Sequence, residues 1–383
     1  MDFWRDIVGQ DAAVRRLNAA ADPAGSDELS HAWLITGPPG SGRSNLAFLF
    51  AAALIARTEA ERPEVLAQVR SRTHPDLGVL STEKVLIEIK AAREIATTAH
   101  YSPSVGRYRV IVIEDADRMP ERTSNVLLKA LEEPPERTIW VLCAPSEADL
   151  IPTIRSRVRS LRLVTPSVDD VAALLVNRDG LDAAEAERAA RLAQSHIGMA
   201  RRLAADPNAL ARRQRTIELV LGARGLGGAM RVAAELAELA GEDAKAITAE
   251  RDAREREEAL RNLGVAPGQA VPPALRSQIK TLEENQKRRA TRSLRDGIDR
   301  ILTDLLSLFR DVLVTQLGAS DDLVNLEFAG PIRARADAGT PEGTLATIDA
   351  LGTARERITR NVTPGLALEA FLARAALESS EDR

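Results

Sequence analysis

Short apolar runs alternate with longer periodic segments over the first 165 residues. "HAWLITG" (31–37) is an apolar run closed by glycine, which predicts a buried strand. "SNLAFLFAAALIA" (44–56) predicts a helix with Ser44 near its N-terminus. "RVIVIEDADRM" (109–119) predicts a four-residue strand, Val110 to Ile113, that ends in acids. "TSNVLLKALEEPP" (123–135) predicts a helix stopped by Pro134 and Pro135, and "TIWVLCAP" (138–145) another buried strand ended by Pro145. Short apolar strands between helices indicate a parallel sheet covered on both faces. Ligands of such sheets bind at the carboxyl ends of the strands, where both the glycine-rich stretch and the acids fall.

From Ser167 the strand signals fade and short amphipathic helices take over. The pattern divides the chain into an α/β domain over 1–165, a helical lid over 166–207 and an all-helical domain over 208–383. Within the last, residues 242–262 carry dense mixed charge and few apolar positions, which predicts a solvated helical arm. "GVAPGQAVPP" (264–273) breaks it. Residues 298–313 then carry a wide apolar stripe, Ile298, Ile301, Leu302, Leu305, Leu306, Leu308, Phe309, Val312 and Leu313, as a core or interface helix does.

Composition narrows the picture. Aromatic residues make up 3% of the chain, so the cores must be aliphatic. The net charge of −4 argues against a strongly basic nucleic-acid coat. The single cysteine, Cys143, excludes an internal disulfide framework and a multi-cysteine zinc site, and fits a reducing cytoplasm. The longest apolar run, Ala47 to Ala56, is far short of the roughly 20 residues of a membrane helix, and no secretory signal opens the chain. No membrane association is expected. Only six of the 52 basic residues are lysine, as in proteins from G+C-rich genomes.

The glycine-rich stretch carries the first candidate chemistry. Gly37, Pro38, Pro39, Gly40, Ser41, Gly42, Arg43 and Ser44 match the phosphate-loop pattern at every fixed position except Arg43, where lysine is usual. The glycines let backbone N–H groups turn inward onto phosphate oxygens, and the following helix adds its positive end. Ser44 is placed to ligate magnesium. Arginine is a planar fork where lysine is a compact point charge, so anion binding survives the exchange better than hydrolytic geometry does. In a nucleotide motor the second strand ends in Asp for magnesium and Glu for the attacking water. Here the order is reversed, Glu114 then Asp115.

"IVGQ", "HAWLITGPPGSGRS", "GRYRVIVIEDADRM", "NVLLKALEEPP" and "PTIRSRV" occur in this order over residues 1 to about 205. Together they resemble the clamp-loader subunits of bacterial DNA polymerase III, members of the AAA+ superfamily. The resemblance implies an AAA+ (RecA-like) α/β domain, a helical lid and a helical collar. It implies that Arg157, in Ser156-Arg157-Val158, is an arginine finger that reaches the γ-phosphate held by a neighbouring subunit. Ala144 stands where the family places a polar sensor, with Ser146 two residues too late. Gly198-Met199-Ala200-Arg201 matches the second-sensor pattern and adds Arg201 to the nucleotide set. The family's four-cysteine zinc module falls on residues 57–76, which hold His74 and no cysteine, so no zinc is expected.

Three features that act within the chain's own site are thus altered together: Arg43, Glu114-Asp115 and Ala144. Arg157, which acts across a subunit boundary, is retained. That combination implies a non-motor stator subunit, weak or inactive in ATP hydrolysis, whose degenerate site binds ATP or ADP if it binds anything, with Mg only alongside nucleotide. The implied partners are the gamma/tau and delta subunits of a hetero-pentamer and, through that complex, the sliding clamp and primed DNA. The alternative is an active gamma/tau-type motor or a related AAA+ ATPase.

Overall fold

A computed structural model describes residues 3–22, 27–82, 86–262, 272, 276–319, 323–360 and 362–381. They divide into two compact units, Met1–Ala205 and Asp206–Arg383, so the residues expected to form a lid fall in the first unit.

The first unit holds five strands, β1 (Ala32–Thr36), β2 (Leu77–Leu80), β3 (Arg109–Ile113), β4 (Thr138–Ala144) and β5 (Arg159–Arg162). Its helices are α1 (Asp11–Ala20), α2 (Arg43–Ile55), α3 (Arg62–Arg70), α4 (Ile89–Ala99), α5 (Glu121–Glu132), α6 (Pro152–Arg155), α7 (Val168–Leu174), α8 (Ala183–Leu192) and α9 (Ile197–Ala205). The strands form one parallel sheet in the order β2-β3-β4-β1-β5. This is the parallel α/β architecture that the AAA+ resemblance implied, and the second unit is helical as expected.

Alternation along the strands divides the core. Trp33, Ile35, Val110, Val112, Val141 and Cys143 face α2, whose Leu46, Leu49, Phe50 and Leu54 are fully buried. Leu34, Ile111, Ile113, Trp140, Leu142 and Ala144 face the side covered by α4 and α5. Each fully buried Leu, Ile or Val contributes about 1.5–3 kcal/mol, so these two layers fix the sheet. The order leaves β4 between β1 and β3. The loop after β1, the end of β4 and the acids after β3 are therefore neighbours.

The second unit contains α10 (Pro207–Gly222), α11 (Gly225–Asn262), α12 (Arg276–Gln316), α13 (Ala329–Asp337), α14 (Pro341–Thr359) and α15 (Pro364–Glu381). The apolar stripe of residues 298–313 lies on α12, and Ile298, Ile301, Leu302, Leu305, Leu308, Phe309 and Val312 are buried in the core of this unit. The solvated helical arm expected over 242–262 is a helix with a partner. Those residues are the second half of α11, which lies antiparallel to α12. Asp243, Ala244 and Thr248 are buried, and Asp252, Glu255 and Arg256 pair with Arg289 and Glu283 of α12. The charge that looked like a solvated surface is matched across two helices. The predicted break at 264–273 lies outside the described residues, apart from Pro272.

A buried polar network ties α10 to α12 and to the segment after it. Arg213 Nη2 donates to Asn325 Oδ1 at 2.7 Å and to Ser307 Oγ at 3.3 Å, and its Nε lies 3.1 Å from Asp304. Asn325 in turn donates to Asp311 through its backbone and its side chain. Burial pushes the Asp304 carboxyl up to about 6, against the pull of Arg213. Truncating Arg213 strands these partners in an apolar setting, a loss of roughly 3–5 kcal/mol. Arg213→Ala is expected to lower the unfolding midpoint of this unit in a denaturant titration, and an unchanged midpoint would remove the network from the account. Among the described residues no helix is long and apolar enough to cross a membrane.

Candidate functional site

The glycine-rich loop leaves β1 at Thr36 and enters α2 at Arg43. Gly42 takes the left-handed conformation at the head of α2, with φ 89° and ψ 16°, a turn that favours glycine. Gly40 also has positive φ, and a Cβ there would stand 2.2 Å from the ring of His196. The segment leading into α9 therefore covers the loop at contact distance, and the Ile197 N–H donates to the Gly40 carbonyl at 3.3 Å. Ser41 Oγ is buried without a hydrogen-bond partner among the described residues. The loop thus keeps its turn glycines and the positive end of a 13-residue helix, the features that hold phosphate oxygens.

Arg43 is turned onto the loop itself. Its Nη1 donates to the Gly37 carbonyl. The usual lysine is a flexible point charge; the guanidinium is instead engaged at the base of the loop.

The acids lie beyond the adjacent strands. Glu114 follows Ile113 at the end of β3, and Arg72 Nη2 reaches its carboxylate at 2.6 Å. Asp115 sits in the left-handed region at φ 52°, with Arg118 at 3.6 Å. The neighbouring Asp117 carboxyl is raised above the ordinary carboxylate range, first by burial and then by Asp115. Ala144 is the last residue of β4, fully buried and opposite Thr36 of β1. Ser146 is used locally: its hydroxyl accepts from the Ala148 N–H while Asp149 accepts from the Ser146 N–H, capping a short turn.

Cys143 joins these groups. Burial pushes its thiol up to about 12, while Arg43 draws it down and Glu114 and Asp115 add to the rise. The thiol at the end of β4 thus feels the loop arginine and both acids. Alternation in "TIWVLCAP" signals that Cys143 and Ala144 face opposite layers, but not that Cys143 lies among these charges.

Arg157 lies in the turn after α6. Its Nη1 donates to the Thr153 carbonyl at 2.7 Å and to Ser156 Oγ at 3.0 Å, and its Nη2 lies 2.6 Å from Glu132. Glu132 is the last residue of α5, so the two distinctive sequence stretches "LLKALEEPP" and "RSR" meet in one ion pair at the surface. Neither stretch alone announces that pairing. Arg201 lies on α9 and is engaged by Asp179, whose carboxylate is 3.0 Å from Arg201 Nε. The Asp179 carboxyl is held below its ordinary range by its hydrogen bond from Arg178 and, further, by that from Arg201. His74, in the segment tested for zinc, accepts the Asp76 N–H through Nδ1.

Comparison with known proteins follows the same stretches. Residues 9–167 match a family model described as DNA polymerase III, delta subunit. The chain is 30% identical over 175 residues to DNA polymerase III subunit gamma/tau of Mycobacterium bovis, a match that covers 43% of this chain and 29% of that protein. It is 32% identical over 143 residues to DNA polymerase III subunit delta' of Pseudomonas aeruginosa, covering 35% of this chain and 43% of the relative. The chain thus spans about a third to a half of the length of these relatives. A crystal structure of a DNA polymerase III gamma subunit-related protein from Thermotoga maritima aligns over 97% of this chain and 99% of that one, at 16% identity and a TM-score of 0.39. Residues 9–167 are thus similar to the DNA polymerase III delta-subunit family and to the gamma/tau and delta' subunits.

Proposed function

We propose that the chain is a delta-prime, stator-type subunit of a DNA polymerase III clamp loader, and that it lends Arg157 to the ATP site of a neighbouring subunit. The observation that carries this reading is the inward engagement of the chain's own site. Arg43 is bound to the Gly37 carbonyl and Glu114 to Arg72, and β4 ends in Ala144, fully buried in the layer under α4 and α5 with no polar group to offer the site. Groups occupied in this way are poorly free to neutralise a γ-phosphate or to orient water. Arg157 lies in a surface turn and gives up a surface ion pair with Glu132 and local hydrogen bonds to Thr153 and Ser156 when it reaches another chain.

The nucleotide site is degenerate but keeps its phosphate cradle. The backbone of Gly37, Pro38, Pro39, Gly40, Ser41, Gly42 and Ser44 would hold the phosphates of ATP or ADP, and the buried, unpartnered Ser41 hydroxyl fits such a ligand. Magnesium would enter only with nucleotide, at Ser44 and the Glu114-Asp115 pair. Arg201 would have to leave Asp179 to serve there. Residues 166–207 act as the lid and 208–383 as the collar that holds the hetero-pentamer with gamma/tau and delta. The complex, in the cytoplasm, loads the sliding clamp onto primed DNA. Contact of this subunit with DNA is modest and salt-sensitive, as its charge of −4 leads one to expect.

The second reading, an active gamma/tau-type motor, draws on the identity shared with gamma/tau relatives. Steady-state phosphate release from the purified chain separates the two. The stator reading expects turnover near background, and expects Arg43→Lys alone not to restore it, because Ala144 and the reversed acids remain. Robust turnover of the unaltered chain would sink the stator reading. Turnover recovered by Arg43→Lys would show that the other two changes are harmless.

A further inference from the structure

The second unit contains a cavity of about 520 Å³, within the range of small-ligand pockets. It opens between α10, the start of α11, α12, α13, α14 and α15. Val220, Leu221, Phe309, Val312 and Leu372 give it apolar walls. Its polar features share one sign. Arg335 of α13 and Arg224, after α10, both line it, and no aspartate or glutamate does. The Arg335 guanidinium stacks over Phe309, with Cζ 5.2 Å from the ring centroid. No carboxylate pairs with Arg335 or Arg224 among the described residues; Arg224 donates only to the Leu221 and Ala223 carbonyls. Burial draws Arg335 below the ordinary arginine range, and Arg224 lowers it further.

A third positive element points into the same space. Thr340, Gly343 and Thr344, the N-cap and first turn of the 19-residue helix α14, line the cavity. The leading end of a helix carries about half a positive charge. Elsewhere in this unit the buried Arg213 is matched by Asp304, and the half-buried Arg289 by Asp252 and Glu255. No acid lines this apolar cavity; the helix N-terminus is already capped by Thr340 and carries Glu342 in its first turn, so the two guanidiniums dominate a positive field that an anion would complete. The aromatic and aliphatic walls call for an apolar body attached to that anion.

We propose that this cavity binds a carboxylate borne on an apolar body, such as the free C-terminus of a peptide ending in large apolar residues. Arg335 forks the carboxylate, Arg224 and the head of α14 add charge, and the apolar body rests on Phe309, Val312 and Leu372. A peptide terminus and a free small aromatic acid share this chemistry. The site is independent of the nucleotide loop and of Arg157, and stands whether or not the stator reading does.

Isothermal titration of the full chain tests it with three probes: acetyl-Gly-Leu-Phe with a free carboxylate, the same peptide as its C-terminal amide, and 4-phenylbutyrate. The free-acid peptide is expected to bind at least about 10-fold more tightly than the amide, since only the ionised carboxylate accepts the charge-assisted fork of a guanidinium. Tighter binding of the peptide acid than of phenylbutyrate assigns the site to a chain terminus, and the reverse order assigns it to a small acid. Arg335→Gln is expected to reduce the affinity about 10-fold or more. Ala334→Leu, at an exposed position on the cavity lining, is expected to weaken binding by narrowing the space while the unfolding midpoint stays unchanged. Equal affinity for acid and amide, or affinity unchanged in both variants, would overturn the proposal. So would the absence of binding by every probe at 1 mM.

Discussion

Replacing Arg157 with alanine will slow ATP hydrolysis at the neighbouring subunit's site by on the order of 10³–10⁵, the range that arginine fingers supply by neutralising charge on the transferring phosphoryl group. The measurement is single-turnover, DNA-stimulated hydrolysis in a loader reconstituted with gamma/tau and delta, so that other ATP sites do not mask the loss. Arg157→Lys will recover little, because a point charge does not reproduce the guanidinium fork. The chain's own stability will stay within about 0.5 kcal/mol, since Arg157 loses a surface pair with Glu132 and exposed local hydrogen bonds to Thr153 and Ser156. A loader that hydrolyses at full rate with Arg157→Ala would remove the finger and leave the subunit a scaffold.

Replacing Asp76 with alanine will unfold the first unit at markedly lower temperature. The Asp76 side chain is fully buried and accepts the N–H groups of Ser104, Val105 and Gly106 at 2.5, 2.8 and 2.7 Å. Arg109, at the head of β3, adds an ion pair at 3.3 Å. Truncation leaves three amides without their acceptor and takes the carboxylate from a buried guanidinium, which keeps only the Tyr101, Pro75 and Ser102 carbonyls; the cost is roughly 3–5 kcal/mol. For a unit of this size that corresponds to a fall of roughly 10 °C in Tm. The effect also has a pH signature. Burial pushes the Asp76 carboxyl up, but the three amides and then Arg109 outweigh it and hold it below the ordinary carboxylate range. A carboxyl depressed in the folded state contributes stability above its unfolded pKa, near 3.9, and loses it as pH falls through the folded value. The gap in Tm between the native chain and Asp76→Ala should therefore be full at pH 7 and narrow below about pH 4. A gap that does not change with pH would mean that the charge plays no part.

Legibility in the sequence followed burial. β1, β3 and β4 are central strands covered on both faces, so they read as plain apolar runs. β3 begins one residue before the predicted strand, because Arg109 is drawn into the ladder by its buried pair with Asp76. β2 and β5 were not legible. β2 is four residues, "LGVL", in which glycine removes one side chain from the pattern. β5 is "RSLR", an edge strand in which Leu161 alone is buried. Its Arg159 looks like a surface charge, yet its guanidinium lies 5.2 Å from the Trp33 ring centroid. The phosphate loop could be read from glycine spacing, because turn geometry is local. What Arg43 touches could not, since the Gly37 carbonyl six residues back becomes its partner only when the loop closes. The mixed charge of 242–262 misled for the same reason: the partners Glu283 and Arg289 are distant in sequence.

The antiparallel pairing of α11 and α12 implies a gradient of cohesion along the pair. At 38 residues α11 is about 57 Å long. Near Ala240 and Ile298 the two helices share the apolar core of their unit, where ionic strength has little influence. Around Asp252, Glu255, Arg256, Glu283 and Arg289 they are joined largely by carboxylate–guanidinium contacts, of which Arg256–Glu283 is open to solvent and the Arg289 pairs are half-buried. Mobile ions screen such contacts over about 8 Å at physiological strength. Added salt therefore loosens one end of the pair and leaves the other clamped, so the two long helices behave as a tuning fork whose free length is set by the electrolyte around it.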